Sequence, residues 1–594
     1  MAGAGDERAG PGSRYKWIAL SNTTLGILMV TINQSILLIS LPDIFRGIKL
    51  QPLAPGNTSY FLWTFMGFLL VTAVLVVSLG RVGDMYGRVR MYNLGFAIFT
   101  VFSILLSVTW LTGAGGALWI ILMRVGQGVG GSFLFANSSA ILTDAFPAEE
   151  RGRAMGINGI SLVTGSFVGL VLGGVLAPIE WHLVFLVSVP FGLFGTVWAY
   201  LKLRDDGVRI HTRIDWWGNV TFAIGLTALL IGIVYGLLPY GGHTMGWTSP
   251  FVLATSFGGL AVLVAFVAIE RRVPHPMFRL ELFRIRAFAA GALATLLASI
   301  GRGGIQFMLI IWLQGIWLPQ HGFDFARTPL WAGIALVPLT VGFMFAGPIS
   351  GVLADRYGSR WIATIGLVGS AVSFVALEAL PMNFDYAEFA AILFVFSIFA
   401  GMFITPNQTA VMNSLPPNQR GAGAGMNGSF MNSAQVLSIG IFFSVVTLGL
   451  ASSLPSHLAH GLIAQGVPGP QADKVAQLPP IGSLFAAFLG YNPIAVLVPH
   501  HVLLGLGPSR AAYLTGRSFF PRLISSSFQT GLRLAFDFAA VLTLAAAVAS
   551  LVRGKKFIHA EQSLGEEVGM GMLEVGELAS AEIGAGVLVE VEED

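Results

Sequence analysis

Arg124 is the one charge in the apolar run from Gly113 to Thr143. A cation at the middle of a bilayer-spanning helix costs at least about 2.5 kcal/mol, so it has to face other protein and find acceptors. Gln127 follows on the same helical face. Arg302, with Gln306 one turn later, is a second arrangement of this kind. Asp537 lies in the last apolar segment with Arg533 four residues before it, a spacing at which the two can meet on one face. Such pairing would hold Asp537 ionised and disfavour a proton-shuttle role. His182 titrates near neutrality if exposed and is expected at an outer surface. Asn33, Gln34, Asn137, Gln306, Gln314, Asn407, Gln408, Asn432 and Gln435 are polar groups in apolar segments that could line a solute path or bind helices together. Covalent chemistry has no footing here. The chain has no Cys, no His-Glu-x-x-His, no Gly-x-Ser-x-Gly and no Gly-Lys-Ser/Thr phosphate loop, and His500-His501 is a pair without further ligands. No enzyme, metal site, cofactor or ATP-driven pump is expected.

The elements that must position these groups are membrane helices. Of 594 residues, 55% are hydrophobic and 11% charged, against roughly 25% charged in soluble domains. Runs such as Phe61–Leu79 and Phe389–Leu415 carry no charge, and a hydrocarbon core of about 30 Å takes about 20 helical residues. Helices are expected at roughly 17–45, 59–79, 91–111, 117–143, 153–178, 182–203, 215–238, 249–271, 288–317, 328–353, 360–381, 385–413, 421–450 and 529–553. Short loops on the side of the termini are rich in Arg and Lys, whereas the opposite short loops hold only Arg46, Lys49 and Arg327. The positive-inside rule then places both termini in the cytoplasm of a multi-pass plasma (inner) membrane protein. The small net charge of +3 gives no reason to expect a nucleic-acid partner.

Two motifs occur twice. Gly80-Arg-Val-Gly-Asp84-Met-Tyr-Gly87-Arg88 is echoed by Gly351-Val-Leu-Ala-Asp355-Arg-Tyr-Gly358-Ser-Arg360, and Arg151-Gly152-Arg-Ala-Met-Gly156-Ile-Asn158-Gly159 by Arg420-Gly421-Ala-Gly-Ala-Gly425-Met-Asn427-Gly428. The offsets from Asp84 to Asp355 and from Arg151 to Arg420 differ by only two residues, which indicates a duplicated six-helix unit. Parallel repeats of this kind place a substrate path at their interface. The chain divides into a tail (1–16), an N-terminal bundle (17–203), a linker with two inserted helices (204–287), a C-terminal bundle (288–553) and an acidic cytoplasmic tail (554–594). Residues 451–528 form a long outer loop, expected at the surface because its apolar stretch is broken by Asn492-Pro493.

These motifs resemble those of the major facilitator superfamily, in its fourteen-helix drug:proton antiporter branch. Gly80-x-x-x-Asp84-x-x-Gly87-Arg88-x-Arg90 matches the loop signature after the second helix, and Leu122-x-Arg124-x-x-Gln127-Gly128-x-Gly130 the helix-four motif. Ile214-Asp215-Trp216-x-Gly218, Gly246-Trp247, Leu282-Phe283 and Leu313-Gln314 recur in that branch as well. The resemblance implies an all-α membrane protein of the major facilitator fold, with two six-helix bundles, two inserted helices and about fourteen transmembrane helices. It implies a monomer in the lipid bilayer that exports hydrophobic or amphiphilic small molecules by alternating access, with the proton gradient in place of a cofactor. Gly80, Asp84, Gly87, Arg88 and the weaker counterpart Asp355 would form a conformational latch, and Arg124 with Gln127 a buried network linked to proton coupling. Gly165, Gly169 and Gly173 allow close helix packing. Two positions depart from the branch. Leu170 stands where its antiporter signature has Pro, and Asn33 where its first helix carries Asp; Asn cannot take up and release a proton. An uncoupled or differently coupled mover of lipid-like molecules is the alternative reading, and the large apolar outer loop is compatible with handing such a molecule outward.

Overall fold

The computed structural model describes residues 13–51, 54, 56–205, 215–243, 245–274, 276, 278–416 and 420–554. The tail before residue 13, linker positions 206–214 and the acidic tail after 554 lie outside the described residues, as does the side chain of Asp355. Fourteen helices are long and apolar enough to span a bilayer, and no strand occurs among the described residues. Helical spans are the expected form, because backbone groups in hydrocarbon must bond within their own segment.

The first bundle comprises α1 (Ser13–Gly47), α2 (Asn57–Tyr86), α3 (Arg88–Ser107), α4 (Gly113–Ala145), α5 (Ala148–Ile179) and α6 (Ser188–Lys202). The inserted pair is α7 (Trp216–Gly236) and α8 (Pro250–Glu270). The second bundle comprises α9 (Arg286–Ile311), α10 (Val337–Tyr357), α11 (Ser359–Ala379), α12 (Tyr386–Asn413), α13 (Arg420–Ile463) and α14 (Phe519–Val552). A short helix, Thr328–Ala335, leads into α10, and a π-helical turn, Trp312–Trp317, prolongs α9. The duplication is visible in the turns. Gly87 between α2 and α3 has φ 108°, and its counterpart Gly358 between α10 and α11 has φ 88°. Both reversals need a backbone region that glycine enters without a Cβ clash.

Within the first bundle α1 lies along α5, α2 along α4, and α3 against α4 and α6. In the second, α9 packs on α13 and α14, α10 on α12, and α11 on α12 and α14. The bundles meet on two flanks, α2 against α13 and α5 against α10 with the Thr328–Ala335 helix. The repeat equates α2 with α10 and α5 with α13, so the two flanks are copies of one contact. The α7–α8 hairpin packs mainly on itself and touches α2 and α13.

The α1–α5 contact depends on small residues. A Cβ on Gly169 would lie 2.9 Å from the Ser35 Cβ and 3.0 Å from the Ile32 Cα. Gly165 abuts Thr31, and Gly173 abuts Ile36, Ile39 and Ser40 in the same way. Next to this stripe, the Leu170 carbonyl faces Gly333 of the other bundle at 3.1 Å from where its Cβ would be.

The connection between α13 and α14 corrects the expectation of a surface loop over 451–528. α13 continues to Ile463 and α14 begins at Phe519, so the connection is shorter at both ends. Between them the Pro480–Phe488 helix is buried at every residue and inserts between the bundles, touching α2, α13, α14 and the π-helical turn. Pro479 and Pro480 set its start, since proline suits the first turn of a helix. Asn492 folds the following chain back by donating to the carbonyls of Leu514 (2.8 Å) and Gly516 (2.9 Å).

Gly169→Leu places a side chain where backbone now meets backbone. Overpacking of this kind costs about 1–3 kcal/mol or more. Thermal unfolding of detergent-solubilised protein, followed by fluorescence-detected gel filtration, is expected to show a midpoint lower by several degrees, with Gly169→Ala between it and the parent.

Candidate functional site

A cavity of ≈ 2720 Å³ lies between the bundles. It opens on the side that carries the chain ends, where Gly80, Arg81, Asp84, Arg88, Arg360 and Gly554 line it. The opposite side is closed by aromatic rings from both bundles with the inserted helix between them. Phe485 of that helix stacks on Phe61 of α2 (5.0 Å between centroids) and on Phe443 of α13 (5.5 Å). Phe488 meets Phe307 of α9 at 6.1 Å, and Phe45 of α1 lies 4.1 Å from Phe61. Gln314 adds a polar tie by donating to the Ile39 carbonyl across the bundles at 3.1 Å.

Arg124 does not line the cavity. It is fully buried inside the first bundle. Its guanidinium donates to the Asn33 Oδ1 of α1 and to the Gln127 Oε1 at 2.7 Å, and lies 4.4 Å from the Phe68 ring centroid of α2. Gln127 passes the network to Ser103 of α3 (2.8 Å), and Asn33 to Ser188 of α6 (3.2 Å). One cation therefore gathers groups from five helices. Its acceptors are amide oxygens, and among the described residues no carboxylate pairs with it. The charge is balanced by dipoles and a ring face, a weaker compensation than an ion pair.

The remaining sequence candidates separate by location. Arg302, Gln306, Asn407 and Gln435 line the cavity, as does Gln34. Asn407 is held by Thr295 (2.8 Å) and the Gly291 carbonyl (3.3 Å), so it also ties α12 to α9. Asn137 turns away from the cavity. It caps back onto the Phe133 carbonyl (2.9 Å) and packs against Gly83 of α2. Asp537 is exposed on the outer surface of the second bundle, with Glu378 of α11 and Arg533 beside it. His182 bridges the Glu180 carboxylate (2.6 Å) and the Thr109 carbonyl (3.0 Å), and this hydrogen bond holds the Glu180 carboxyl below its usual range.

At the cavity mouth Arg88 joins Asp84 (2.7 Å) to Asp144 (2.7 Å), linking the ends of α2, α3 and α4. Arg81 reaches the Pro276 carbonyl and faces Glu270 and Asp215. Asp215 caps α7 through the Gly218 N–H (2.8 Å), and Glu270 accepts from the Phe278 N–H (3.1 Å). This cluster fastens the inserted hairpin to α2. Sequence reasoning had Asp215 only as part of a motif and did not find Glu270; its signal was an acid at the end of a span otherwise free of charge. Phe485 and Arg553 were missed as well, the first because an aromatic residue in a loop carries no pattern of its own.

The Major Facilitator Superfamily profile matches residues 23–217 and 212–439. Among curated proteins the chain is 27% identical over 440 residues to a riboflavin transporter of Clostridioides difficile (73% of this chain, 88% of that protein). It is 25% identical over 543 residues to the tetracenomycin C resistance and export protein of Streptomyces glaucescens (91% and 92%). It is 30% identical over 371 residues to a multidrug resistance protein B homolog of Mycobacterium tuberculosis (61% and 64%). Among solved structures, a bacterial homolog of the human lysosomal transporter Spinster shares the fold, with a TM-score of 0.56 at 15% identity over 92% of this chain and 98% of that one. With its repeated half, its fourteen spans and its inter-bundle cavity, the chain is a transporter, not an enzyme, and it belongs to the Major Facilitator Superfamily.

Proposed function

We propose that the protein exports hydrophobic or amphiphilic small molecules across the plasma membrane by alternating access, acting as a monomer without a cofactor. The observation that carries this reading is the cavity between the two repeats. It is open at one end, sealed at the other, and walled by both apolar and polar side chains. The excess of arginine on the side of the termini supports a cytoplasmic location for that side, so the cavity loads from the cytoplasm. Transport requires the aromatic seal to part while the α2–α13 and α5–α10 flanks close at the other end. The pairs around Asp84 and Arg88 lie where that closure occurs and suit a latch. The export and multidrug-resistance proteins among the relatives support outward movement.

Proton antiport and movement without a proton both fit the fold. The Asn33 contact favours the second. Arg124 draws on an amide at the position where the antiporter branch carries an acid, and an amide does not titrate. In proteoliposomes, equal initial rates with and without a pH gradient are expected. Rates that follow the gradient would restore proton antiport.

Two substitutions examine the Arg124 network. Arg124→Ala removes a poorly compensated buried cation, so the protein folds and inserts normally, while transport is abolished. Parental transport by this variant would remove Arg124 from the mechanism. Asn33→Asp puts a titratable group against Arg124, with the Ser188 hydroxyl as its other contact. The pH profile of transport becomes steeper than that of the parent, and an unchanged profile would dissociate position 33 from coupling.

A further inference from the structure

Arg302 stands on the cavity wall at mid-helix in α9. In the Gly301-Arg302-Gly303-Gly304 segment of α9, the glycines press the helix backbone onto its neighbours. A Cβ on Gly301 would lie 3.1 Å from the Thr543 Oγ1 of α14, and one on Gly303 would lie 3.1 Å from the Ser438 Cβ of α13. Gly304 abuts the Phe442 ring, and its N–H donates to the Ser438 Oγ at 2.7 Å. With those sides of the helix filled, Arg302 has only the cavity to face, and it is exposed there. Among the described residues it makes no ion pair.

The acids that line the cavity are Asp84, Glu270 and Glu281. Asp84 is bound to Arg88, and Glu270 to the Phe278 N–H. All three are at or beyond the open ends of their helices, so none reaches the level of Arg302, which is near the middle of α9. Eight arginines line the same surface, so the cavity as a whole is basic. One of them, Arg553, is 5% exposed and none of its guanidinium nitrogens has a partner. It therefore adds uncompensated positive charge to the same bundle. The cavity wall also offers Gln306, one turn along α9, and Gln435 as further donors, and apolar surface from Ile27, Val77, Leu162 and Phe343. A cation with no counter-ion in a largely apolar chamber recruits an anion with an apolar body, and a guanidinium matches the oxygens of a carboxylate, sulfonate or phosphate in its own plane.

We infer that the transported molecule is an amphipathic organic anion whose headgroup meets Arg302, and that its export carries net negative charge outward. This deepens the export reading and rests on it. It also supplies the driving force that an amide at position 33 leaves open. An inside-negative membrane potential pushes an anion out of the cell, and no proton need return.

Full-length protein in nanodiscs is titrated with decanesulfonate, decyltrimethylammonium and decyl maltoside, which share a tail and differ in headgroup charge. Decanesulfonate is expected to bind at least tenfold tighter than the cation. Arg302→Gln removes that preference and Arg302→Lys retains part of it. Palmitoyl lysophosphatidylglycerol and tail-free methanesulfonate separate a lipid source, a soluble amphiphile and a bare anion, and the bare anion is expected not to bind. In proteoliposomes with equal pH on both sides, a potassium diffusion potential that makes the interior negative accelerates decanesulfonate efflux severalfold. Equal affinity for the three decyl compounds, or a preference that survives Arg302→Gln, would overturn the anion assignment and leave the export reading standing. Efflux indifferent to the potential would overturn electrogenic export. Failure of every amphiphile to bind would overturn the export reading itself.

Discussion

A charge in hydrocarbon must be paired, solvated or wrapped in dipoles, and Arg88, Arg124 and Arg302 meet this constraint in three different ways. Arg88, at the end of its span, is paired with Asp84 and Asp144 at the surface of the first bundle. Arg124 is wrapped. It occupies the centre of a bundle, and α1, α2, α3, α4 and α6 contribute a ring face, two amides and two hydroxyls around it. Arg302 is solvated, because its helix leaves it the cavity and nothing else. Each makes a different demand on the fold. The first fixes the mouth, the second makes one bundle a rigid unit, and the third gives the space between the bundles its sign.

The two ends of the cavity are held by different physics. At the mouth the contacts are charged and bathed by solvent, where single ion pairs contribute about 0–1 kcal/mol and can be exchanged for others at little cost. At the sealed end the rings of Phe45, Phe61, Phe443, Phe485 and Phe488 are buried against one another and their neighbours, and each aromatic pair contributes about 0.5–1.5 kcal/mol beyond the area it buries. Several such pairs bias the protein toward the state seen here by a few kcal/mol. Substrate has to offset that bias by binding more strongly to the states that follow. The Pro480–Phe488 helix is central to this balance, since Phe485 touches both bundles at once and must leave at least one of them when the seal parts.

The sequence made legible what depends on periodicity and duplication. Fourteen charge-poor runs became fourteen spans, and Gly87 and Gly358 are reversals at equivalent places in two halves. The stripe of Gly165, Gly169 and Gly173 announced a close helix contact, although not that α1 was its partner. The direction of a single polar residue was less legible. Asn137 and Asn407 both sit near the ends of apolar helices at the cavity mouth, yet one turns into a helix contact and the other toward the cavity, because the choice depends on which neighbour carries a glycine or a hydroxyl. Asp537 stands in a helix that is apolar on both sides, and only the packing of that helix on α9, α11 and α13 decides that its side chain is left on the outer surface. The inserted helix escaped for a related reason. Nine residues are too few to cross a bilayer, and their burial follows from a gap between bundles that exists only after both have formed.

The two departures from the antiporter pattern lie on one structural unit. Asn33 is on α1 and Leu170 on α5, and these helices are joined backbone to backbone by the glycine stripe. An acid at position 33 would change charge beside Arg124, and a proline at 170 would remove a backbone donor and bend α5 next to Gly333 of the opposite bundle. Together they would allow a proton taken up inside the first bundle to alter the surface that α5 presents to the second. With asparagine at 33 and leucine at 170 the unit has no charge to change beside Arg124 and no proline to bend α5 next to Gly333. On the proposed reading what moves it comes from the cavity side, where Arg302 is an exposed charge without an ion pair among the described residues. A substrate that neutralises Arg302 alters the electrostatics of the α9 wall in the way protonation of an acid on α1 would alter those of the first bundle. On the reading proposed here the substrate's own charge takes the place of the proton as the signal that a site is occupied.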